Sequence, residues 1–200
     1  MFLRESLRSH QSIGAIAPTS ATAARQMAGF ISPDAALTVV ELGAGTGAIS
    51  AAVGCRLGPD ARHIAVERDP TLLEALHNAA PWAERVIGDA AQLSERLAEV
   101  NVPSADVVIS SLPWGNFDPE LQRRILAEIT KVLTPDGVFA AIAYRPTRLT
   151  RGSRAFRAAL RASFGEVVVT STLWANLPPA RLYVCRRPRR PIDPGAAPSA

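Results

Sequence analysis

The stretch Val39-Val40-Glu41-Leu42-Gly43-Ala44-Gly45-Thr46-Gly47 decides how this chain folds. Val39 and Val40 are β-branched and apolar, the character of a strand buried in a parallel sheet. Gly43, Gly45 and Gly47 then come at alternate positions, which permits a sharp turn and brings backbone N–H groups close to a ligand with no Cβ in the way. Ala48-Ile49-Ser50-Ala51-Ala52-Val53 reads as a helix that starts at the same spot. Strand, glycine turn and helix build a nucleotide-type site at the carboxyl edge of an α/β sheet. The motif also satisfies the dinucleotide pattern G-x-G-x-x-A from Gly43 to Ala48, so the chain around it must decide the ligand.

Working outward toward the C-terminus, His63 to Val66 is a predicted second strand ending on Glu67, and Leu72, Leu73, Leu76 and Ala80 mark a helix. Arg85 to Ile87 is a third strand ending at Gly88-Asp89, followed by a helix from Leu93 to Val100. Val107 to Ser110 is a fourth strand that runs into Ser111-Leu112-Pro113-Trp114. Asp118-Pro119 supplies an N-cap and a first-turn proline for a helix from Leu121 to Leu133. Thr134 to Gly137 is a turn into a fifth strand, Val138 to Tyr144, and Ser153 to Phe164 is a helix. The last strands, Val167 to Leu173 and Arg181 to Val184, are joined by too short a connection for a crossover helix and therefore pair antiparallel.

Toward the N-terminus, Ala21 to Phe30 is a helix capped from Pro18-Thr19-Ser20. Phe2 to Arg8 is a short amphipathic helix with Phe2, Leu3 and Leu7 on one side and Arg4 and Arg8 as a basic pair. It is either a contact with an anionic membrane or a strap on the domain. The fold expected is α/β, a doubly wound, Rossmann-like, seven-stranded sheet with an antiparallel terminal hairpin and one reversed edge strand. Residues 1–32 form the N-terminal helices, 33–186 the main domain, and 187–200 a disordered tail by composition.

At 200 residues, 48% hydrophobic and 20% charged, the composition is that of a globular domain large enough to need no staples. No run approaches the ~18 apolar residues of a membrane span, and no secretory pattern opens the chain, so a cytoplasmic protein is expected. Cys55 and Cys185 read as two free, buried or half-buried thiols. His10, His63 and His77 lack metal-ligand spacing, and no metal is expected. The net charge is +4, but Lys131 is the lone lysine, an arginine skew that by itself makes no case for nucleic acid. Nothing in the sequence calls for an obligate protein partner.

With these strand ends in place, the chain resembles the class I S-adenosylmethionine-dependent methyltransferases from roughly Ile13 to Val184. Glu41-Leu42-Gly43-Ala44-Gly45-Thr46-Gly47 is similar to that family's first motif. The resemblance implies that Glu41 and the backbone of Gly43, Ala44, Gly45 and Gly47 receive the amino-acid end of S-adenosylmethionine. It implies that Glu67, followed by Arg68, grips the ribose hydroxyls, that Asp89 and Ala90 meet the adenine, and that Ser110 also belongs to the cofactor site. A cationic sulfonium and ammonium call for no Arg/Lys clamp, which agrees with the acid before the glycines. Glu67 and Asp89 can instead simply cap the helices after them.

Ser111-Leu112-Pro113-Trp114 resembles the Asn/Asp/Ser-x-Pro-aromatic turn of the family's amine-methylating members. An amine must aim its lone pair at the methyl carbon, so its N–H bonds need acceptors on the far side. The Ser111 side chain and the Ser111 and Leu112 carbonyls can supply them, Pro113 fixes the turn, and Trp114 offers a face to the growing positive charge. Ribosomal-RNA adenine dimethylases carry a similar turn together with an additional helical domain. Bacterial phospholipid N-methyltransferases are more similar: Phe2-Leu3, Gly14-Ala15-Ile16-Ala17-Pro18-Thr19-Ser20 and Ser110-Ser111-Leu112-Pro113 all match their pattern, and Trp114-Gly115 departs from it. Tyr144 and Arg145 are the expected headgroup neighbours. Arg145, Arg148, Arg151, Arg154, Arg157 and Arg161 recur every three or four residues, facing either an anionic bilayer or solvent. The expected function is methylation of an amine, first of all the ethanolamine headgroup of a phospholipid, by a cytoplasmic enzyme at the inner membrane face. RNA adenine, a soluble amine and a non-catalytic cofactor-binding module are the alternatives.

Overall fold

The computed structural model describes residues 19–145 and 149–190. The expected helix over Phe2 to Arg8, the Gly14–Pro18 stretch, Arg148 and the chain past Arg190 lie outside the described residues. In order, the elements are α1 (Ala21–Ala28), β1 (Thr38–Leu42), α2 (Ala48–Gly54), β2 (Arg62–Glu67), α3 (Pro70–Ala79), β3 (Glu84–Ile87), α4 (Leu93–Glu99), β4 (Ala105–Ser110), α5 (Pro119–Val132), β5 (Leu133–Tyr144), α6 (Arg151–Ser163), β6 (Phe164–Val169) and β7 (Ala180–Pro188). Four helices begin on side-chain caps that the sequence supplies: Ser20 for α1, Asp69 for α3, Asp118 for α5 and Thr150 for α6. Each such cap is worth about 1 kcal/mol.

The strands form one sheet in the order β3-β2-β1-β4-β5-β7-β6, with β1 to β5 parallel and β7 antiparallel to both its neighbours. This is the doubly wound α/β fold with an antiparallel terminal pair. One detail differs from the reading of the sequence: the reversed strand lies one place inside the edge, and β6 is outermost. Hydrophobicity explains the order, since Leu182, Tyr183, Val184 and Cys185 of β7 are buried while Val168 and Val169 of β6 are exposed. β7 also continues to Pro188, pairing Glu166 with Arg186 and Phe164 with Pro188, so ladder bonding carries the domain past the expected start of the tail. Thr134 to Gly137, expected as a turn, bulges out of β5: the register with β4 jumps from Ala105–Leu133 to Val107–Val138.

Side chains alternate across β1 as strand geometry requires. Val39 joins Met27, Ile31, Ile49 and Val53 on the face covered by α1 and α2. Val40 and Leu42 join Leu93, Leu97, Ile125, Ile129 and Phe156 on the face covered by α4, α5 and α6. Cys185 lies in that second core, where burial pushes its thiol up to about 12 and keeps it protonated at neutral pH. Both cysteines are free, as expected, but Cys55 is exposed rather than half-buried because it falls at the solvent end of α2.

Candidate active site

β1 has β2 on one side and β4 on the other, so the strand order reverses there and a crevice opens beyond the strands' carboxyl ends. The glycine turn fills that position. Gly43, Gly45 and Gly47 have φ of 75°, 55° and 90°, the left-handed region in which a Cβ is disfavoured. A Cβ on Gly47 would also stand 2.7 Å from the Ala79 Cβ, so the turn lies directly on α3. Gly43 N–H donates to the Val66 carbonyl and Gly47 N–H to the Ala44 carbonyl, which fixes the turn against β2.

Glu67 ends β2 beside this turn. Its Oε2 accepts from Gly45 N–H at 3.1 Å, and its Oε1 accepts from the N–H groups of Arg68 and Asp69 at 2.8 and 3.1 Å. The carboxylate is thus held by three backbone donors while the residue stays partly exposed at the crevice. Arg68 contributes its backbone N–H to that grip. Asp89 follows β3, where Oδ1 caps the 3-10 turn Ala90–Gln92 by accepting from Ala91 N–H at 2.9 Å. Gly88 N–H donates to the Glu67 carbonyl, so the ends of β2 and β3 are tied together and the two acids stand at neighbouring strand ends. Asp89 therefore caps as well as sitting where the resemblance places an adenine contact.

Glu41, the acid before the glycines, is wholly internal. It points to the α2 side of the sheet and is fully buried beneath the glycine turn, where Oε2 accepts from Ser50 Oγ at 2.7 Å and meets His63 Nε2 at 3.0 Å. Alternation along β1 dictates this, since Glu41 shares the side of Val39. Its Oε1 is buried with no hydrogen-bond partner among the described residues, an arrangement that costs free energy unless a donor arrives. No lysine or arginine occurs from Val39 to Gly54. Left-handed glycines, a carboxylate held at the crevice, a buried acid beneath the turn and a motif without lysine or arginine from Val39 to Gly54 fit a cationic ribonucleoside better than a pyrophosphate.

Ser111-Leu112-Pro113-Trp114 leaves β4 against the same glycines. Ser111 Oγ donates to the Gly43 carbonyl at 2.5 Å, and Ser111 N–H donates to the Leu42 carbonyl. A hydroxyl has one hydrogen, so this bond leaves the Ser111 oxygen as an acceptor toward anything else that approaches. The Leu112 carbonyl accepts from Trp114 N–H at 2.8 Å, which spends part of its capacity inside the turn. Pro113 begins the tight turn and its carbonyl accepts from Asn116 N–H.

Trp114 does not present an open face. Its residue is 1% exposed, its ring stacks on Phe156 at 4.4 Å and 15°, and its edges meet Phe117 and Phe139. A buried indole needs an acceptor, and Nε1 finds Ser110 Oγ at 3.0 Å. That bond also corrects the expectation for Ser110, whose side chain is fully buried against the indole instead of facing the cofactor crevice.

Beyond the turn, a small recess is lined by Gly115, Tyr144, Arg145, Arg157, Arg181 and Tyr183. Tyr144 and Arg145, expected as headgroup neighbours, both line this recess. Arg145 N–H donates to the Pro179 carbonyl, and its guanidinium lies over Trp174, 4.8 Å from the ring centroid. Gly152 allows the start of α6 to close on this region, since a Cβ there would stand 2.3 Å from the Gly115 carbonyl oxygen.

Reading the sequence missed three residues. Gln122 is fully buried and its Nε2 donates to the carbonyls of Trp114, Phe117 and Gly152, binding the acceptor turn to α5 and α6. A polar side chain in phase with Ile125, Leu126 and Ile129 on one helix face was the available signal. Ser50 and His63, the partners of Glu41, carry no such signal, because only the tertiary fold brings them together.

A sheet of this order, with a glycine cradle at its switch point and carboxylates at successive strand ends, defines a class I S-adenosylmethionine-dependent methyltransferase, and the chain belongs to that family. A methyltransferase-domain profile matches residues 39–137. The chain is 36% identical to the ornithine lipid N-methyltransferase of Singulisphaera acidiphila over 93% of its own length and 94% of that protein. Solved structures share the fold alone. A TehB-like methyltransferase from Corynebacterium glutamicum matches with a TM-score of 0.60 at 15% identity over 93% of this chain and 96% of that one. An O-methyltransferase from Thermotoga maritima matches with a TM-score of 0.62 at 11% identity over 86% and 66%. The cofactor is S-adenosylmethionine, and the residues of the cradle fit it.

Proposed function

We propose that the chain methylates the amine of a zwitterionic membrane-lipid headgroup at the inner face of a membrane. The observation that carries this reading is the Ser111 hydroxyl, which gives its hydrogen to Gly43 and so faces the acceptor site with lone pairs only. An amine nucleophile needs that polarity: its N–H bonds point to acceptors while its lone pair points to the cofactor. When bound, S-adenosylmethionine supplies the electrophilic methyl group. Glu67 and the glycine turn hold the cofactor, Glu41 offers its buried oxygen toward the ammonium end, and Ser111 orients the amine. Asp89 and Ala90 flank the adenine in this reading.

Arg145 and Arg181 in the neighbouring recess suit the anionic group such headgroups carry, a phosphodiester beside ethanolamine or a carboxylate beside the ornithine amine. The relative's name favours the ornithine headgroup, and the Ser-Ser-Leu-Pro turn favours ethanolamine phospholipids. Purified protein with radiolabelled cofactor decides among these when ethanolamine phospholipid, ornithine lipid and ribosomal RNA are offered in parallel. Label in either lipid supports the reading, and label in RNA alone overturns it. Ser111→Ala is expected to lower kcat/KM for the lipid about 10- to 100-fold with cofactor affinity unchanged.

A further inference from the structure

We infer that the carboxyl end of β5, the start of α6 and the β6–β7 loop together form a docking surface for an anionic lipid bilayer, with Leu149, Trp174 and Leu177 entering the interface. These three are 74%, 70% and 73% exposed, the most exposed large apolar residues among those described. They share one edge of the molecule: Leu149 precedes α6, while the β6–β7 loop is held to the end of β5 through the Arg145 N–H bond to Pro179.

The loop is built and not merely loose. Asn176, between the two exposed residues, is fully buried, accepts from Ser20 N–H at 2.8 Å and donates to the Pro178 carbonyl at 2.8 Å. Leu173 and Ala180 close its base by exchanging backbone hydrogen bonds. A rigid loop that projects a tryptophan and a leucine past a buried anchor loses little conformational entropy on insertion. Tryptophan suits the headgroup level of a bilayer, where its ring is half wet and half apolar.

Charge selects the partner. On this edge stand Arg145 at the end of β5, Arg151 and Arg154 in the first turn of α6 and Arg181 at the start of β7, and from Gly137 to Arg181 the sequence carries one carboxylate, Glu166. The Arg145 guanidinium stacked on Trp174 places cation and aromatic at the same depth, where a lipid phosphate would lie. Each arginine near an anionic surface adds to the attraction. The acceptor recess contains Arg145 as well, so a membrane on this surface would hold headgroups at its mouth. The docking inference stands on exposure and charge, and the headgroup reading adds only why it would matter.

The test uses vesicles of phosphatidylglycerol, which has no amine to methylate. In a Trp82→Phe variant, Trp174 is the exposed reporter because Trp114 is buried. Its emission is expected to shift to the blue on binding, with affinity at least tenfold above that for phosphatidylcholine vesicles. The double variant L149S/L177S is expected to bind about tenfold more weakly, with an unchanged melting temperature. Its activity toward a short-chain, monomeric amine lipid should be unchanged while methylation of vesicle lipid falls. No blue shift, or undiminished binding by the double variant, overturns the inference. A solution dimer that the same variant dissociates assigns the patch to a second copy and also overturns it. Vesicle binding as expected with no lipid methylated upholds the docking surface and refutes the headgroup reading alone.

Discussion

Residues 38–100, which build β1 to β3 and the cofactor cradle, carry nine carboxylates and five arginines, whereas residues 137–192 carry Glu166 alone against eleven arginines. The two halves of the sheet meet different chemistry. In the first half, which carries the proposed cofactor cradle, the acids at the strand ends and on β3 are engaged by backbone donors or a neighbouring side chain, as Glu67, Asp89 and Glu84 are. In the second half arginines far outnumber carboxylates in the sequence, a balance that a solvated surface tolerates and that an anionic partner would exploit. The contrast also shows in packing. The cofactor half relies on glycines and short caps, while the acceptor turn rests on a stack of Trp114, Phe156, Phe139, Phe164 and Tyr183.

The largest expected effect comes from breaking that stack. Trp114→Ala should destabilise the protein by about 3–5 kcal/mol, because a fully buried indole with four aromatic and polar partners leaves a cavity. Trp114→Phe keeps the stacking and loses only the bond to Ser110, so its cost should be about 1–2 kcal/mol. Urea denaturation of both variants checks this. A W114A protein of near wild-type stability that turns over poorly would return the ring to the substrate and undo the contrast between a packed turn and an open cradle.

The cofactor half should respond in binding more than in folding. Glu67→Gln keeps the side chain's volume but replaces a charged acceptor of three backbone N–H groups by a neutral one. Cofactor affinity is expected to fall about 10- to 100-fold, as for loss of a charge-assisted hydrogen bond to the ribose. Titration calorimetry with S-adenosylhomocysteine measures it. Unchanged affinity would mean that Glu67 serves only to cap the turn after β2, and that the ribose lies elsewhere.

Why the cradle was legible and the acceptor turn only half so follows from what each needs. Three left-handed glycines and acids at strand ends are local requirements, so Gly43 to Gly47, Glu67 and Asp89 could be placed from spacing. The positions of Glu41 and Trp114 depend on which side of the sheet a residue faces and what covers it. Glu41 sits in phase with Val39, and that phase sends it under the turn toward Ser50 and His63. Trp114 follows a proline turn whose direction is set by Gln122 and by Gly152 at the start of α6, neither of which adjoins it in sequence. The strand order was likewise decided by relative burial, with apolar β7 drawn inside β6.

The smallest effect tests whether charge in the cofactor half is purely local. Arg62 on β2 makes a two-pronged pair with Glu84 on β3, at 2.8 and 2.7 Å, and both side chains are about two-fifths exposed. The hydrogen bonds from Arg62 hold the Glu84 carboxyl below its ordinary range. Solvent screens such a pair, so Glu84→Gln should cost only about 0.2–1 kcal/mol at neutral pH. A depressed carboxylate stabilises the fold above its unfolded pKa, near 4.3, and that stabilisation is lost as pH falls through the lower folded value. The difference between wild type and E84Q should therefore shrink below about pH 4, which denaturation at pH 7 and pH 3 can compare. Because Arg62 loses its partner without moving to the arginine-rich edge, binding to phosphatidylglycerol vesicles should be the same for both proteins. Tighter vesicle binding by E84Q would show that total charge, and not the arginines beside Leu149, Trp174 and Leu177, draws the protein to an anionic surface.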